Sequence, residues 1–350
     1  MWNDTPFMPS EKRSDSRSER GRRPTIDDVA ARAGVSAAAV SFAVNDRPGV
    51  AESTRRRILD AADQLGWRPS ASARALTEAR ARAIGLLLTR SVDQLEVDPF
   101  FVRFLAGIER TLARNDHDLV LRVAEQVDLG AYERLAAAGR VDGFLLCDVE
   151  LDDPRFDRLA EAGLPVVVAG HPVSPCPFPS VETEHARGME SVVEHLLALG
   201  HRHVAFVGGP ANYEHVQARL AVWRATLAAA GVEPGPVEHA EAGGAPTVSL
   251  LAAERWPTAI VYSSDLLAAA GLAAVREQGI AVPGELSITG FDDSPLAALA
   301  SPPLTSVRID YAQFGEAAAA SLLAAIAGDP PPPYEAPAPE LIVRASTGPA

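Results

Sequence analysis

A run of three arginines, residues 55–57, has the clearest capacity for chemistry in the first part of the sequence. Guanidinium groups bind phosphate oxygens, so this run favours a contact with a nucleic-acid backbone, with a merely solvated helix face as the alternative. Short polar side chains upstream suit contacts with a sugar-phosphate chain: Ser36, Ser41 and Asn45. Ser36 also fits a helix N-cap and Asn45 a turn, so local structural roles remain open for both.

The sequence lacks the common motifs of catalysis. It has no Gly-x-Ser-x-Gly elbow, no His-Glu-x-x-His pair and no glycine-rich phosphate loop, and Gly208-Gly209-Pro210 does not have the spacing of one. Cys147 and Cys176 are too few for a disulfide scaffold and too isolated for a zinc site. We therefore expect no catalytic residue, no metal site and no cofactor.

The distribution of charge differs between the two ends of the chain. The 350 residues carry a net charge of −14, yet basic residues exceed acidic ones within residues 1–82. Residues 1–23 are polar and aperiodic, so we expect a disordered basic and polar tail there. A basic head on an acidic body is typical of a chain whose one end meets a polyanion; alternatively, the excess belongs mostly to this tail. With no secretory signal and no long apolar stretch, we expect a cytoplasmic protein without a membrane partner.

Three short helices are predicted after residue 23. Thr25 caps the first, which ends at Gly34, and Ser36 caps a second that runs to about Val44. The third begins at Glu52 or Ser53 and ends at Gly66, with an apolar face of four residues: Ile58, Leu59, Ala62 and Leu65. A tight turn between the first two helices predicts a helix-turn-helix domain.

The remaining sequence alternates between strands and helices. Short apolar runs such as residues 84–88, 143–146, 166–169 and 204–207 are separated by segments of helical periodicity. Near-continuous apolar strands predict parallel sheets covered on both faces, and about 270 residues favour two sheets over one. A last strand is expected at residues 341–343, after the proline-rich loop 330–333.

From residue 25 onward, the sequence resembles the lactose/galactose repressor family of bacterial transcription factors. The matching segments are TIDDVAARAGVS from Thr25, VDGFLL from Val141, HLLALGHRHVAFVGGP from His195, and VPGELSITGFDD from Val282. The resemblance implies an N-terminal all-α helix-turn-helix head (24–68), a hinge helix or linker (69–82), and an α/β two-lobed, periplasmic-binding-protein-like core with parallel sheets (83–350). It further implies a dimeric, effector-controlled regulator, most simply a repressor, associated with the nucleoid.

In such a head, the second helix would enter the major groove and present Ala37, Ala38 and Phe42 to base edges. The family commonly has polar residues at the first two positions and arginine at the third. Alanine and phenylalanine can contact a thymine methyl but cannot bond to guanine, so either the operator differs or other residues read it. Packing of Phe42 into the head is the alternative. With the residues above, Thr25 and Arg55 complete the head's predicted DNA-binding set.

Residues 69–76 resemble the family's hinge. There Leu76 would wedge into the minor groove, Ala73 would lie at the contact between paired hinge helices, and Ser70 replaces a more usual asparagine. Burial of Leu76 against the core is the alternative. A pair of heads related by a two-fold axis implies a homodimer on double-stranded palindromic operator DNA.

The resemblance also implies a small-molecule effector, most often a sugar, in the cleft between the lobes. Arg219 and Asp292 would lie on opposite sides of it, with Ser264 at a third contact. Phe100 and Phe101 would supply an apolar wall, one of the two belonging to the core. Asp265 is expected as a helix N-cap, and His171 and His185 as ordinary satisfied histidines. Two rival classes are an exported solute-binding protein, which would not carry a helix-turn-helix, and a repressor that has lost operator specificity.

Overall fold

The structure is a computed structural model that describes residues 24–45, 47–68, 80–90, 95, 99–172 and 175–350. The chain divides into two compact units between Ala79 and Arg80. The predicted tail, residues 1–23, lies outside the described residues, as do residues 69–79 of the predicted hinge. The backbone amides of Ala81 and Arg82, at the end of that predicted hinge, bond to the Asp142 carboxylate in the second unit.

The first unit contains α1 (Ile26–Ala33), α2 (Ala37–Val44) and α3 (Glu52–Leu65). The Asp28 carboxylate accepts hydrogen bonds from the Thr25 amide and hydroxyl, which fixes the start of α1. Gly34 ends α1 at φ +65°, and the Ser36 hydroxyl accepts from the Ala39 amide at the start of α2. The predicted helix-turn-helix is confirmed.

A small apolar core holds these three helices together. Val29, Val40 and Ile58, one from each helix, are fully buried at its centre. The predicted apolar face of α3 was wrong at Leu59, which is 43% exposed, whereas Ala61 is buried. Residue 61 lies three positions from Ile58 and residue 59 only one, so helical geometry turns Leu59 away from the core.

The second unit has two lobes, each built on a parallel sheet. The first sheet has the strand order β2-β1-β3-β4-β5. Its strands are β1 (Ala83–Thr89), β2 (Asp118–Ala124), β3 (Gly143–Leu146), β4 (Val166–Ala169) and β5 (Ser180–Val181). The helices of this lobe are α4 (Pro99–Arg114), α5 (Leu129–Ala137) and α6 (Arg155–Ala162). Of these strands, β2 departs from the expected burial: it is an edge strand with Leu121 and Val123 each 42% exposed.

The second sheet has the strand order β7-β6-β8-β9. Its strands are β6 (Val204–Gly208), β7 (Val237–His239), β8 (Ala259–Tyr262) and β9 (Ser287–Thr289). The helices of this lobe are α7 (His185–Ala198), α8 (Glu214–Ala229), α9 (Ala245–Leu251), α10 (Asp265–Glu277) and α11 (Pro295–Leu299). An antiparallel pair, β10 (Ser306–Arg308) and β11 (Glu340–Ile342), follows. These parallel sheets, with the helical head, confirm the predicted fold class.

The last long helix, α12 (Tyr311–Ala327), returns to the first lobe and packs on α4. The two backbones touch: a Cβ on Gly315 would lie 2.2 Å from the Phe104 carbonyl oxygen, and one on Gly107 2.0 Å from that of Ala312. Glycine is required where helices approach this closely. The chain thus passes between the lobes more than once.

Candidate functional site

The predicted DNA-binding side chains of the head differ in their surroundings. Ala38 and Phe42 are exposed on α2, whereas Ala37 is half-buried against the head core. Phe42 is 41% exposed and is not part of that core, so the alternative of a packed Phe42 does not hold within the head. The Asn45 amide donates to the Ser41 carbonyl oxygen at 2.9 Å, which keeps Asn45 at the end of α2.

Arg55 has a structural role in the head. Its guanidinium donates to the carbonyl oxygens of Ala43 at 2.6 Å and Arg47 at 2.9 Å, and so ties α3 to the end of α2. Arg57 likewise donates to the Ala33 carbonyl oxygen at the end of α1. Of the arginine run, only Arg56 matches the simple solvated face, with an exposed ion pair to Glu52. A phosphate contact by Arg55 would compete with its two backbone bonds.

The predicted hinge residues Ser70, Ala73 and Leu76 lie outside the described residues. Their roles stay predictions.

The second unit contains a cavity of about 1240 Å³, part of it open to solvent, between its two lobes. Its first-lobe wall comes from loops that follow β1, β3 and β4, and its second-lobe wall from loops that follow β6, β8 and β9. Loops at the carboxyl ends of parallel strands are the usual place for a ligand in such folds. Of the predicted effector residues, Phe100, Arg219, Ser264 and Asp292 line this cavity.

Arg90 and Asp148 form a forked ion pair in the first-lobe wall. The Arg90 Nε and Nη2 atoms donate to the two carboxylate oxygens of Asp148 at 2.8 and 2.9 Å. Burial alone would raise the pKa of Asp148, but the charge and hydrogen bonds of Arg90, together with smaller contributions from His215 and Arg155, outweigh it, and the pKa lies below its ordinary value. The guanidinium also lies 5.2 Å from the ring centre of Tyr213, a second-lobe residue. This pair was missed by the sequence analysis.

A buried arginine supports the loop that carries Asp148. Arg155, only 2% exposed, pairs with Asp153 and donates to the carbonyl oxygens of Cys147 and Asp148. Arg155 lies at the start of α6, so the helix and the loop are fixed together. This support holds Asp148 where it meets Arg90.

Arg219 and Asp292 lie side by side in the second lobe, so the prediction of opposite sides was wrong. The Arg219 Nη2 and Asp292 Oδ1 atoms are 3.8 Å apart, and the Arg219 Nη1 atom donates to the Ser263 carbonyl oxygen at 2.6 Å. The guanidinium stacks on the Phe291 ring at 4.0 Å, and the Tyr311 hydroxyl donates to Asp292. Arg219 lies on α8 and Asp292 follows β9. Both elements belong to the second lobe, so the two side chains lie on the same wall of the cavity.

The two phenylalanines separate as one wall residue and one core residue. Phe100 lines the cavity and meets the Tyr311 ring edge-on at 4.7 Å. Phe101 is 2% exposed in the hydrophobic core and is not a lining residue. The prediction for Phe101 as an effector contact is therefore corrected.

Ser264 lines the cavity and also takes the helix-capping role expected of Asp265. Ser264 is the N-cap of α10, and its hydroxyl accepts from the Leu267 amide at 3.3 Å. Asp265 is the first helical residue, and its carboxylate accepts from the Ser294 amide and the Ser306 hydroxyl, each at 2.6 Å. Burial raises the pKa of Asp265 despite these two hydrogen bonds. The prediction that Asp265 is the N-cap was wrong.

Three histidines line the cavity, although the sequence analysis gave them no role there: His171, His185 and His215. Burial and the neighbouring Arg219 charge lower the pKa of His185 to about 4 and that of His215 to about 3. Both rings are therefore neutral at pH 7, and each can donate and accept a hydrogen bond. Their only sequence signal was position: His185 begins α7, and His215 lies one turn before Arg219 on α8.

No group of histidine, cysteine and carboxylate side chains in the described part of the chain is arranged to hold a metal ion. Among the same residues, no helix is long and apolar enough to cross a membrane.

Comparison with known proteins agrees with this architecture. The sequence profile of bacterial regulatory proteins of the lacI family matches residues 25–70, and a periplasmic binding protein-like domain matches residues 193–347. The HTH-type transcriptional regulator MalR of Streptomyces coelicolor is 34% identical, over 93% of this chain and 97% of its own. The chain belongs to the lacI family of bacterial regulatory proteins.

Solved structures of this family share its fold. The lac repressor dimer bound to operator and the anti-inducer ONPF superposes with a TM-score of 0.78 at 25% identity, over 93% of this chain and all of that one. The CelR–cellobiose complex gives a TM-score of 0.68 at 29% identity, with the same coverage of both chains. The protein is thus a DNA-binding transcriptional regulator of the lacI family. The cavity between its lobes is the candidate effector site.

Proposed function

We propose that this lacI-family regulator is a repressor that binds a palindromic operator as a homodimer in the cytoplasm and is controlled by an uncharged, hydroxyl-rich effector, most simply a sugar. The described head residues Thr25, Ser36, Ser41 and Asn45 would contact the DNA backbone, and Ala73 and Leu76 would pair and wedge at the hinge. A regulatory role without catalysis and without a resident cofactor follows from the same proposal.

The pairing of charges in the cavity carries the proposal for the effector. Each described arginine that lines it has a carboxylate neighbour: Arg90 has Asp148, and Arg219 has Asp292. His185 and His215 are neutral at pH 7. Such a wall offers many donors and acceptors but no excess positive charge, which suits hydroxyl groups better than phosphate or carboxylate. The Phe100 ring adds an apolar face of the kind that packs on a sugar ring.

Selection of genomic fragments by the purified full-length protein tests the DNA part. We expect recovery of one palindrome beside a few genes, because a two-fold dimer reads two inverted half-sites. Fragments without a shared motif would contradict sequence-specific regulation by the protein alone. If a palindrome is recovered, the genes beside it indicate which saccharides to test as effectors. Cellobiose is the first probe, because the similar CelR was solved in complex with it.

Replacement of Arg219 tests the effector site. Arg219→Ala should remove the response of operator binding to the effectors identified above, with a loss of effector affinity of about tenfold or more, because a charged hydrogen-bond donor contributes about 1.5–3 kcal/mol. Operator affinity without effector should stay near normal. Arg224→Ala, an exposed arginine on the same helix, is the matched control. An unchanged calorimetric affinity in Arg219→Ala would exclude Arg219 as a ligand contact.

A further inference from the structure

We propose that α2 reads its half-site through the 5-methyl groups of thymine, contacted by Ala38 and Phe42, and not through hydrogen bonds to guanine. This inference rests on the proposed operator binding, in which α2 enters the major groove. Its subject is the set of bases that α2 can recognise with the side chains it has.

The side chains of α2 leave few other ways to read a base. Its sequence, AAAVSFAV, contains no charged and no amide side chain, and the Ser41 hydroxyl is its one hydrogen-bonding group. Guanine is read by two parallel donors, which arginine or lysine supplies. Alanine and phenylalanine supply apolar surface, and the thymine methyl is the apolar group that a base pair presents in the major groove.

The exposed face of α2 is also its apolar face. Val40 and Ala43 point into the head core, whereas Ala38 and Phe42, four residues apart and so on one side of the helix, are exposed. The Phe42 ring lies beside Gly49, where an added Cβ would come within 3.7 Å of it. That distance is ordinary van der Waals contact, and 41% of Phe42 is exposed to solvent.

Of the polar side chains near α2 that the structure describes, Arg32, Asn45 and Arg55 are engaged within the head. Arg55 bonds to two carbonyl oxygens at the end of α2, and Asn45 bonds to Ser41. Arg32 forks onto the Gln64 side chain at 3.0 and 2.7 Å, which holds α1 against α3. For any of these to read guanine, it would first have to break a bond that fixes the helices. Apolar contact by Ala38 and Phe42 breaks none.

Deoxyuridine substitution tests this directly, because it removes the thymine methyl and leaves base pairing intact. The probe is the operator recovered by genomic selection, with each thymine replaced in both half-sites, and the readout is the dissociation constant of the full-length protein at fixed salt. We expect a loss of about fourfold per methyl group contacted. Replacement of guanines in the same segment by 7-deazaguanine, which lacks N7, should change the affinity little. The reverse pattern would overturn the inference.

A protein variant connects the effect to Phe42. Phe42→Ala should make the operator insensitive to deoxyuridine at the positions that Phe42 contacts, while the thermal unfolding of the protein stays unchanged because the ring is outside the core. Leu59→Ala, which truncates an exposed apolar side chain of α3, is the matched control and should keep the full sensitivity. Full sensitivity in Phe42→Ala would also overturn the inference.

The two proposals fail in different ways. Specific operator binding without any methyl dependence would overturn the thymine inference and leave the proposed function standing. Absence of specific binding to any fragment would overturn the proposed function and this inference with it.

Discussion

At the scale of single residues, the cavity is defined by which charges face each other. Without Asp148, the Arg90 guanidinium could bind an anion. In the structure, its Nε and Nη2 atoms donate to the Asp148 carboxylate. Whether this part of the cavity is neutral or binds anions therefore depends on the ion pair between Arg90 and Asp148. The charge of this pair can be removed by replacing one carboxylate oxygen of Asp148 with an amide nitrogen.

Asp148→Asn should convert the cavity into a weak phosphate site. The substitution removes the negative charge from beside Arg90 and leaves a largely buried guanidinium that an anion can neutralise. We expect inorganic phosphate to raise the Tm of this variant and not that of the unchanged protein, compared with chloride at equal ionic strength. Asp152→Asn, at an exposed carboxylate of the same loop, is the control. Equal stabilisation of all three proteins by phosphate would contradict the paired-charge account.

At the scale of elements, contact between α4 and α12 holds the first lobe together. Gly107 and Gly315 let the two helix backbones touch, and the apolar side chains of both helices, including Phe104 and Phe314, complete the packing. Because α12 lies near the C-terminal end of the chain and α4 near the start of the second unit, this contact joins two distant parts of the sequence in the first lobe. A side chain larger than hydrogen at either glycine must push the helices apart.

Gly315→Ala should therefore destabilise the protein by about 1–3 kcal/mol, even though alanine favours helices. The added Cβ would lie 2.2 Å from the Phe104 carbonyl oxygen, a backbone atom that cannot turn away. Urea unfolding measures the change in free energy. Gly284→Ala adds the same methyl group where its nearest neighbour is 3.6 Å away and should have little effect. Similar values for the two variants would refute the close approach.

At the scale of the whole molecule, the two lobes meet on one side of the cavity. The Leu151 amide donates to the Asn212 carbonyl oxygen at 2.8 Å, and the Glu214 amide donates to that of Val149 at 3.0 Å. Arg90 of the first lobe lies over Tyr213 of the second. His185 is buried in this cavity, so the stability of the second unit is coupled to its protonation.

Acidification should destabilise the protein between about pH 6.5 and pH 4. The pKa of His185 is lowered to about 4 in the folded chain, so the unfolded chain binds more protons in this interval and stability falls as pH falls. We expect a loss of at most about 1.4 kcal/mol per pH unit from one such histidine. Thermal unfolding of His185→Asn should show a shallower pH dependence. An unchanged slope in His185→Asn would contradict this account.

The sequence by itself determined the elements and the family. Capping residues such as Thr25 and Ser36, glycine stops such as Gly34, and apolar runs such as 143–146 are local signals, and they gave the head helices and the central strands nearly residue by residue. No helix was expected from the sequence over α6, α9, α11 or α12. The alanine-rich α12 has a weak apolar stripe, and the other three are short.

Only the tertiary structure decided how the cavity is made. It brought Arg90 to Asp148 across 58 positions, set Arg219 beside Asp292 on one wall, buried Phe101 in the core, and placed three histidines on the cavity wall. A sequence pattern reports which face of an element is buried, because that depends on near neighbours in the chain. It does not report which side chain of another element lies opposite. Hydrogen bonds and ion pairs depend on the distance between two such side chains, which only the tertiary structure fixes.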